Sequence, residues 1–68
     1  MSMNNKVYWT GKTTCDICNK PCTTHLVDGN INGRWGVCHI SCYKGSFGTG
    51  LGQLYTKQED GTWLKTVG

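Results

Sequence analysis

Acidic residues are scarce in this chain of 68 residues: Asp16, Asp28, Glu59 and Asp60 are the whole set. None has the neighbours of a positioned general base. The His-x-Glu pattern with a downstream Pro-Cys-x2-Cys run is missing, which excludes deaminase-type metal chemistry. A hairpin nuclease would need a histidine beside a carboxylate, and His25 has only threonines and Leu26 around it. No βαβ pattern frames the cysteines, so dithiol redox catalysis has no scaffold. The chain is therefore expected not to be an enzyme. Long apolar runs are missing too: no segment approaches membrane-spanning length, and residues 1 to 6 lack the apolar core of a secretory signal. These absences lead to the expectation of a cytoplasmic protein with reduced thiols, where cysteine clusters more often hold metal than disulfides. A basic block is also absent. Lys6, Lys12, Lys20, Arg34, Lys44, Lys57 and Lys65 are scattered, and a net charge of +3 permits weak attraction to an acidic partner without singling one out. There is no internal repeat and no low-complexity linker.

What the chain does have is cysteine. A single module over residues 1–68, with 1–6 expected to be disordered, is too short to rest safely on an apolar core and needs a staple. Five cysteines are available, an odd number that leaves one thiol over in any disulfide scheme. Cys15-Asp16-Ile17-Cys18 and Cys38-His39-Ile40-Ser41-Cys42 form two short clusters about twenty residues apart. A soft divalent ion takes four such donors in a tetrahedron, so a structural Zn2+ site is the expected staple.

The elements around the clusters are mostly strand-like. Val7-Tyr8-Trp9-Thr10 reads as a short strand or aromatic anchor. Cys15 to Lys20 reads as a tight turn, with Asn19 suited to left-handed backbone. Cys22 to Val27 and Arg34 to Cys38 read as two strands around a Gly- and Asn-rich loop longer than two residues, a first β-hairpin. A short helical turn is expected from His39 to about Lys44, ended by Gly45. The glycine-dense Gly48-Thr49-Gly50-Leu51-Gly52 then leads into a second hairpin over 53–67, turned at Asp60-Gly61. There Leu54 and Tyr55 lie on opposite faces, as do Trp63 and Leu64.

Cys15 and Cys18 are the clear ligands. For the second pair, Cys38 with Cys42 gives four thiolates, while His39 with Cys42 gives three thiolates and an imidazole at the same spacing as the first pair. A local site from Cys15, Cys18, Cys22 and His25 would strand the second cluster without a fourth donor. Cys22 is expected to be a small buried hydrophobe and His25 a half-exposed strand residue.

Cys15-Asp16-Ile17-Cys18-Asn19-Lys20-Pro21, the Trp-led strand at Trp35, the second ligand pair, Gly48-Thr49-Gly50-Leu51-Gly52-Gln53 and the terminal Trp63 hairpin resemble a group of small phage zinc-finger proteins. The resemblance covers roughly residues 15 to 68. In that group a C-x2-C-G-K-P knuckle is followed by a second C-x2-C beginning four residues after the tryptophan. Here those positions hold His39 and Cys42, and Asn19 replaces the usual Gly. The segment from Cys42 to Gly48 is also shorter, which puts the length of any helix in question. The resemblance implies Cys15, Cys18, His39 and Cys42 as ligands, with Cys38 as the alternative to His39.

The expected fold is a small zinc-stabilised α+β module, treble-clef or zinc-ribbon-like, with two β-hairpins and one short helical turn. Its expected function is binding. The first reading is a protein partner, a host or phage factor, held by hairpin edges or by an aromatic patch among Tyr8, Trp9, Tyr55 and Trp63. The alternative is nucleic acid, with Lys12, Lys20, Arg34 and Lys44 on phosphates, Trp35 or Tyr43 stacked on a base, and glycine amides near a phosphate. Trp35 has a competing place in the core of so small a domain.

Overall fold

The computed structural model describes residues 6–68, so the expected disorder of 1–6 lies, but for Lys6, outside the described residues. Five strands form one antiparallel sheet: β1 Tyr8–Trp9, β2 His25–Ile31, β3 Arg34–Cys38, β4 Gln53–Lys57 and β5 Trp63–Val67. Their order across the sheet is β1-β5-β4-β2-β3. Among the described residues the only helical element is a 3-10 turn at Ile40–Cys42. The α component of the expected module is therefore one turn, shorter than the anticipated His39–Lys44 segment. The chain is already extended at Tyr43, two residues before Gly45.

The first hairpin turns more tightly than expected. β2 runs on through Asp28, Gly29 and Asn30, and the connection is only Asn32-Gly33. Both turn residues have positive φ, 54° and 85°, the combination a two-residue type I′ turn requires and that Asn-Gly supplies at least strain. Gly33 N–H also donates to the Asn30 side chain at 2.8 Å. β2 starts later than the sequence implied, at His25, because Cys22 pairs its amide with Thr13 instead. The second hairpin closes through Gln58, whose amide donates to the Thr62 carbonyl at 2.7 Å, around a Glu59-Asp60-Gly61 tip with Gly61 at φ 90°. That is the three-residue loop with a left-handed last position. The Asp60 carboxylate accepts from both the amide and the hydroxyl of Thr62, which holds its pKa below the usual carboxylate value.

The core contains Leu26, Val27, Val37, Tyr55 and Trp63 together with Cys15, Cys22 and Cys38. Tyr55 and Trp63 are buried, Trp9 packs at a tilt on Tyr55 with ring centroids 5.6 Å apart, and its indole N–H donates to the Lys12 carbonyl. The aromatic patch expected for a partner is thus mostly interior, with only Tyr8 exposed. Trp35 shows the reverse: 55% of its surface is open to solvent.

Gly29 pairs with Gly36 across β2 and β3, which leaves a gap in the side-chain pattern of the sheet. The Tyr43 ring and the Asp16 carboxylate lie over it: a β-carbon on Gly29 would sit 2.7 Å from Tyr43, and one on Gly36 would sit 2.5 Å from Asp16 Oδ2. Gly45 and Gly52 also leave room for the Tyr43 hydroxyl, which donates to the Ser46 carbonyl at 2.8 Å. Of the glycine-dense segment, Gly52 therefore serves packing. Three of the segment's amides are committed, Gly48 to Gly52, Leu51 to Gly48 and Gly52 to Ser46, which removes those three as phosphate donors. Gly52→Ala is expected to cost about 1 to 3 kcal/mol by overpacking against Tyr43. Urea melts of the zinc-loaded protein would measure it, and an unchanged midpoint would show that the ring moves aside freely.

Candidate metal centre

The first ligand pair sits in a small hairpin of its own. Thr14 bridges Pro21, the Cys15 amide donates to the Lys20 carbonyl, and the Cys22 amide to the Thr13 carbonyl. Asn19 turns the chain at φ 64°, as its residue type allows, and its amide donates to the Cys15 carbonyl at 2.9 Å. This curls the backbone around the Cys15 sulfur, which accepts the Ile17 and Cys18 amides at 3.3 and 3.4 Å. Such amide bonds favour thiolate over thiol.

The second pair follows β3. His39 has extended backbone at the start of the 3-10 turn, and the Cys42 amide donates back to its carbonyl at 3.0 Å. With three residues per turn, positions three apart eclipse one another, so His39 and Cys42 present their side chains to the same side. Cys38 is still inside β3, paired with Val27 and fully buried. The backbone thus sets His39, rather than Cys38, beside the other candidate ligands. Cys15, Cys18, His39 and Cys42 converge with their ligand atoms all within 4.8 Å of one another, and Cys38 is outside the set.

His39 is oriented from both ends. Its Nδ1 lies 3.3 Å from the Cys18 sulfur, and its Nε2 is 3.1 Å from the Pro21 carbonyl. A carbonyl can only accept, so Nε2 carries the proton and the Nδ1 lone pair faces the thiols. The Pro21 carbonyl was not foreseen as a partner; nothing local in the sequence marks it.

The donor set fits a tetrahedral zinc ion. Zinc–sulfur bonds of about 2.3 Å and zinc–nitrogen bonds of about 2.0 Å place neighbouring donors roughly 3.5 to 3.8 Å apart, inside the 4.8 Å within which the four donor atoms here lie. Charge points the same way. Burial pushes the Cys15 thiol up, but the amides of Cys18, His39 and Ile17 outweigh it and hold it at about 6. Burial, and after it the Cys15 sulfur, push Cys42 up. Thiolates crowded this closely repel, and a dication at their centre replaces the repulsion with four bonds. These four residues would hold the ion, which would join the knuckle to the end of β3.

The remaining thiols play another part. Cys38 is pushed up to about 12, first by burial and then by the Cys15, Cys42 and Cys22 sulfurs, and Cys22 is also raised, by burial first. Both stay neutral and pack as small hydrophobes. Cys22→Ala is expected to keep stoichiometric zinc and lose about 1 to 3 kcal/mol of stability as a buried truncation. Metal analysis of that variant checks the assignment, since zinc release would place Cys22 among the ligands. His25 contacts Thr24 Oγ1 through Nδ1 and stands outside the cluster.

Asp16, the residue between the two knuckle cysteines, was legible only as an isolated carboxylate. Here it pairs with Lys12, accepts the Val37 amide at 2.9 Å through Oδ2, and donates its own amide to the Val37 carbonyl at 2.7 Å. The Lys12 and Val37 hydrogen bonds draw its pKa below the usual value. The knuckle is thereby stitched along the outer edge of β3.

Of the residues expected to meet nucleic acid, Arg34 and Trp35 line a groove of about 380 Å3 with Ile31, Gly36 and Asp16. Lys44 lines a second hollow of about 430 Å3 that shares Ile31. Lys20 is exposed and lines neither. Tyr43 is held by its glycines and is not free to stack. No helix among the described residues is long and apolar enough to cross a membrane. Compared with protein-family models, with curated proteins and with solved structures, the chain matches none, so its functional reading rests on these residues and their geometry.

Proposed function

We propose that the chain is a non-enzymatic zinc module of zinc-ribbon-like type whose zinc-held surface binds a protein. The carrying observation is the convergence of four protein donors, Cys15, Cys18, His39 and Cys42. Four protein ligands complete a tetrahedron and leave no position for an activated water, the pattern of structural rather than catalytic zinc. The nearby carboxylate, Asp16, is already engaged by Lys12 and Val37. A ribbon describes the fold better than a treble clef, since a 3-10 turn stands where a treble clef places its helix. A reducing, cytoplasmic setting suits five free thiols. The resemblance to phage zinc-finger proteins makes a host or phage factor the natural partner.

Exposed apolar side chains support the choice of a protein. Ile17, Trp35 and Ile40, each about half exposed, project from the knuckle, from β3 and from the 3-10 turn, the elements the ion would join. One observation favours the nucleic-acid alternative, the open indole of Trp35 beside Arg34. Fluorescence polarisation with single- and double-stranded oligonucleotides at two salt concentrations separates the readings. Salt-sensitive oligonucleotide binding with no stoichiometric protein captured would overturn the protein reading. A stoichiometric protein partner lost on chelation would support it.

A further inference from the structure

We propose that the outer edge of β3 docks an extended acidic peptide segment of the partner, with Trp35 as its anchor. This rests on the reading of the chain as a protein-binding module. The phase of the β2–β3 ladder supplies the first step. Ile31 and Arg34 flank the two-residue turn as a hydrogen-bonded pair, so bonded pairs recur at Gly29 with Gly36 and at Val27 with Cys38. Trp35 and Val37 therefore turn their N–H and C=O groups away from β2, toward the open side of the sheet. At Val37 both groups are taken by Asp16. At Trp35, neither group has a partner among the described residues. An adjacent backbone donor and acceptor on a strand edge are complementary to another extended main chain, whereas phosphate offers only acceptors.

The groove beside that edge selects the side chains. Ile31 and Trp35 line it as apolar residues from the two faces of the edge, and Arg34 lines it as a cation. The carboxylate in the lining, Asp16, is neutralised by Lys12, and Lys44 adds a second cation in the adjoining hollow. Glu59 and Asp60 do not compete. β4 runs antiparallel to β2, so their hairpin tip lies at the opposite end of the sheet from Asn32-Gly33. The matching ligand is an extended segment with an apolar side chain between carboxylates. Because Asp16 blocks Val37, the added strand ends at Trp35, and side chains rather than a long ladder must supply the affinity.

The test is an NMR titration of the zinc-loaded full chain with a short peptide alternating valine and glutamate, taken to millimolar concentration. Saturable shifts are expected at the Trp35 amide and indole and at Arg34, with the Val37 amide unmoved. A peptide with lysine in place of glutamate should bind at least about fivefold more weakly. Arg34→Glu should reverse that preference, and Trp35→Ala should remove binding while retaining zinc, since Trp35 is exposed and no ligand. No shift at millimolar peptide, shifts confined to other strands, or tighter salt-sensitive binding of oligothymidylate at Trp35 would each overturn the proposal. A stoichiometric partner retained equally by wild type and by Trp35→Ala would refute this edge alone, whereas finding no protein partner at all would refute the protein-binding reading beneath it.

Discussion

A chelator strong enough to empty the four-donor site will unfold the chain, and Cys15→Ser will do so without a chelator. The reasoning starts from the core. Three of its eight buried members are cysteines, and one of them, Cys15, is itself a ligand, so the purely apolar interior is Leu26, Val27, Val37, Tyr55 and Trp63. A core of that size supplies little beyond the conformational entropy it must offset. Zinc adds an apparent stabilisation of about 10 to 16 kcal/mol in small zinc-finger peptides near neutral pH, comparable to the whole stability of an ordinary domain at about 5 to 15 kcal/mol. Losing it leaves the knuckle held by the burial of Cys15 and Cys22 and by a few hydrogen bonds, among them those of Asp16 to Val37 and the His39 contact with Pro21. The measurement is elemental analysis paired with an amide NMR spectrum before and after chelation. A dispersed, unchanged spectrum from metal-free protein would sink the zinc-dependent account.

His39→Ala and Cys38→Ala will part company. If four ligands share about 12 kcal/mol, removing His39 costs roughly 3 kcal/mol of binding, or about two decades in zinc affinity. Cys38→Ala removes a neutral, buried thiol and is expected to keep zinc at full stoichiometry, with a stability loss of about 1 to 3 kcal/mol. Competition with a chromophoric chelator gives both affinities on one scale. Cobalt substitution adds an independent view, because sulfur-to-cobalt charge transfer reports the number of thiolates, three in this assignment. His39→Cys would raise that band, and Cys38→Ala would leave it alone. Zinc loss from Cys38→Ala with retention in His39→Ala would reverse the assignment.

How much of this was legible depended on whether the cause was local. The knuckle was, because x2 spacing and a residue tolerant of left-handed backbone at Asn19 are properties of a few consecutive positions. The fourth ligand was not decidable from side-chain chemistry, since thiolate and imidazole both suit zinc. It took the 3-10 turn, which eclipses positions 39 and 42 and leaves position 38 in the sheet. The first hairpin was misjudged at its loop: Asp28, Gly29 and Asn30 look like turn residues, yet the Asn32-Gly33 turn and pairing to β3 draw them into β2. The roles of Trp35 and Trp63 depend on which end of a strand is covered, a long-range fact. The same holds for Tyr43, whose space is cleared by glycines at 29, 45 and 52, far apart in sequence.

Asp16 belongs at once to the loop that carries two metal ligands and to the margin of the sheet, where it occupies both backbone groups of Val37. The ligand loop is for that reason not a portable cassette. Grafted onto another scaffold as four coordinating side chains, it would leave behind the strand it shields; deleted from this one, it would bare a pairing surface open to any neighbouring chain. One short loop thus both carries two candidate ligands and covers part of a strand edge.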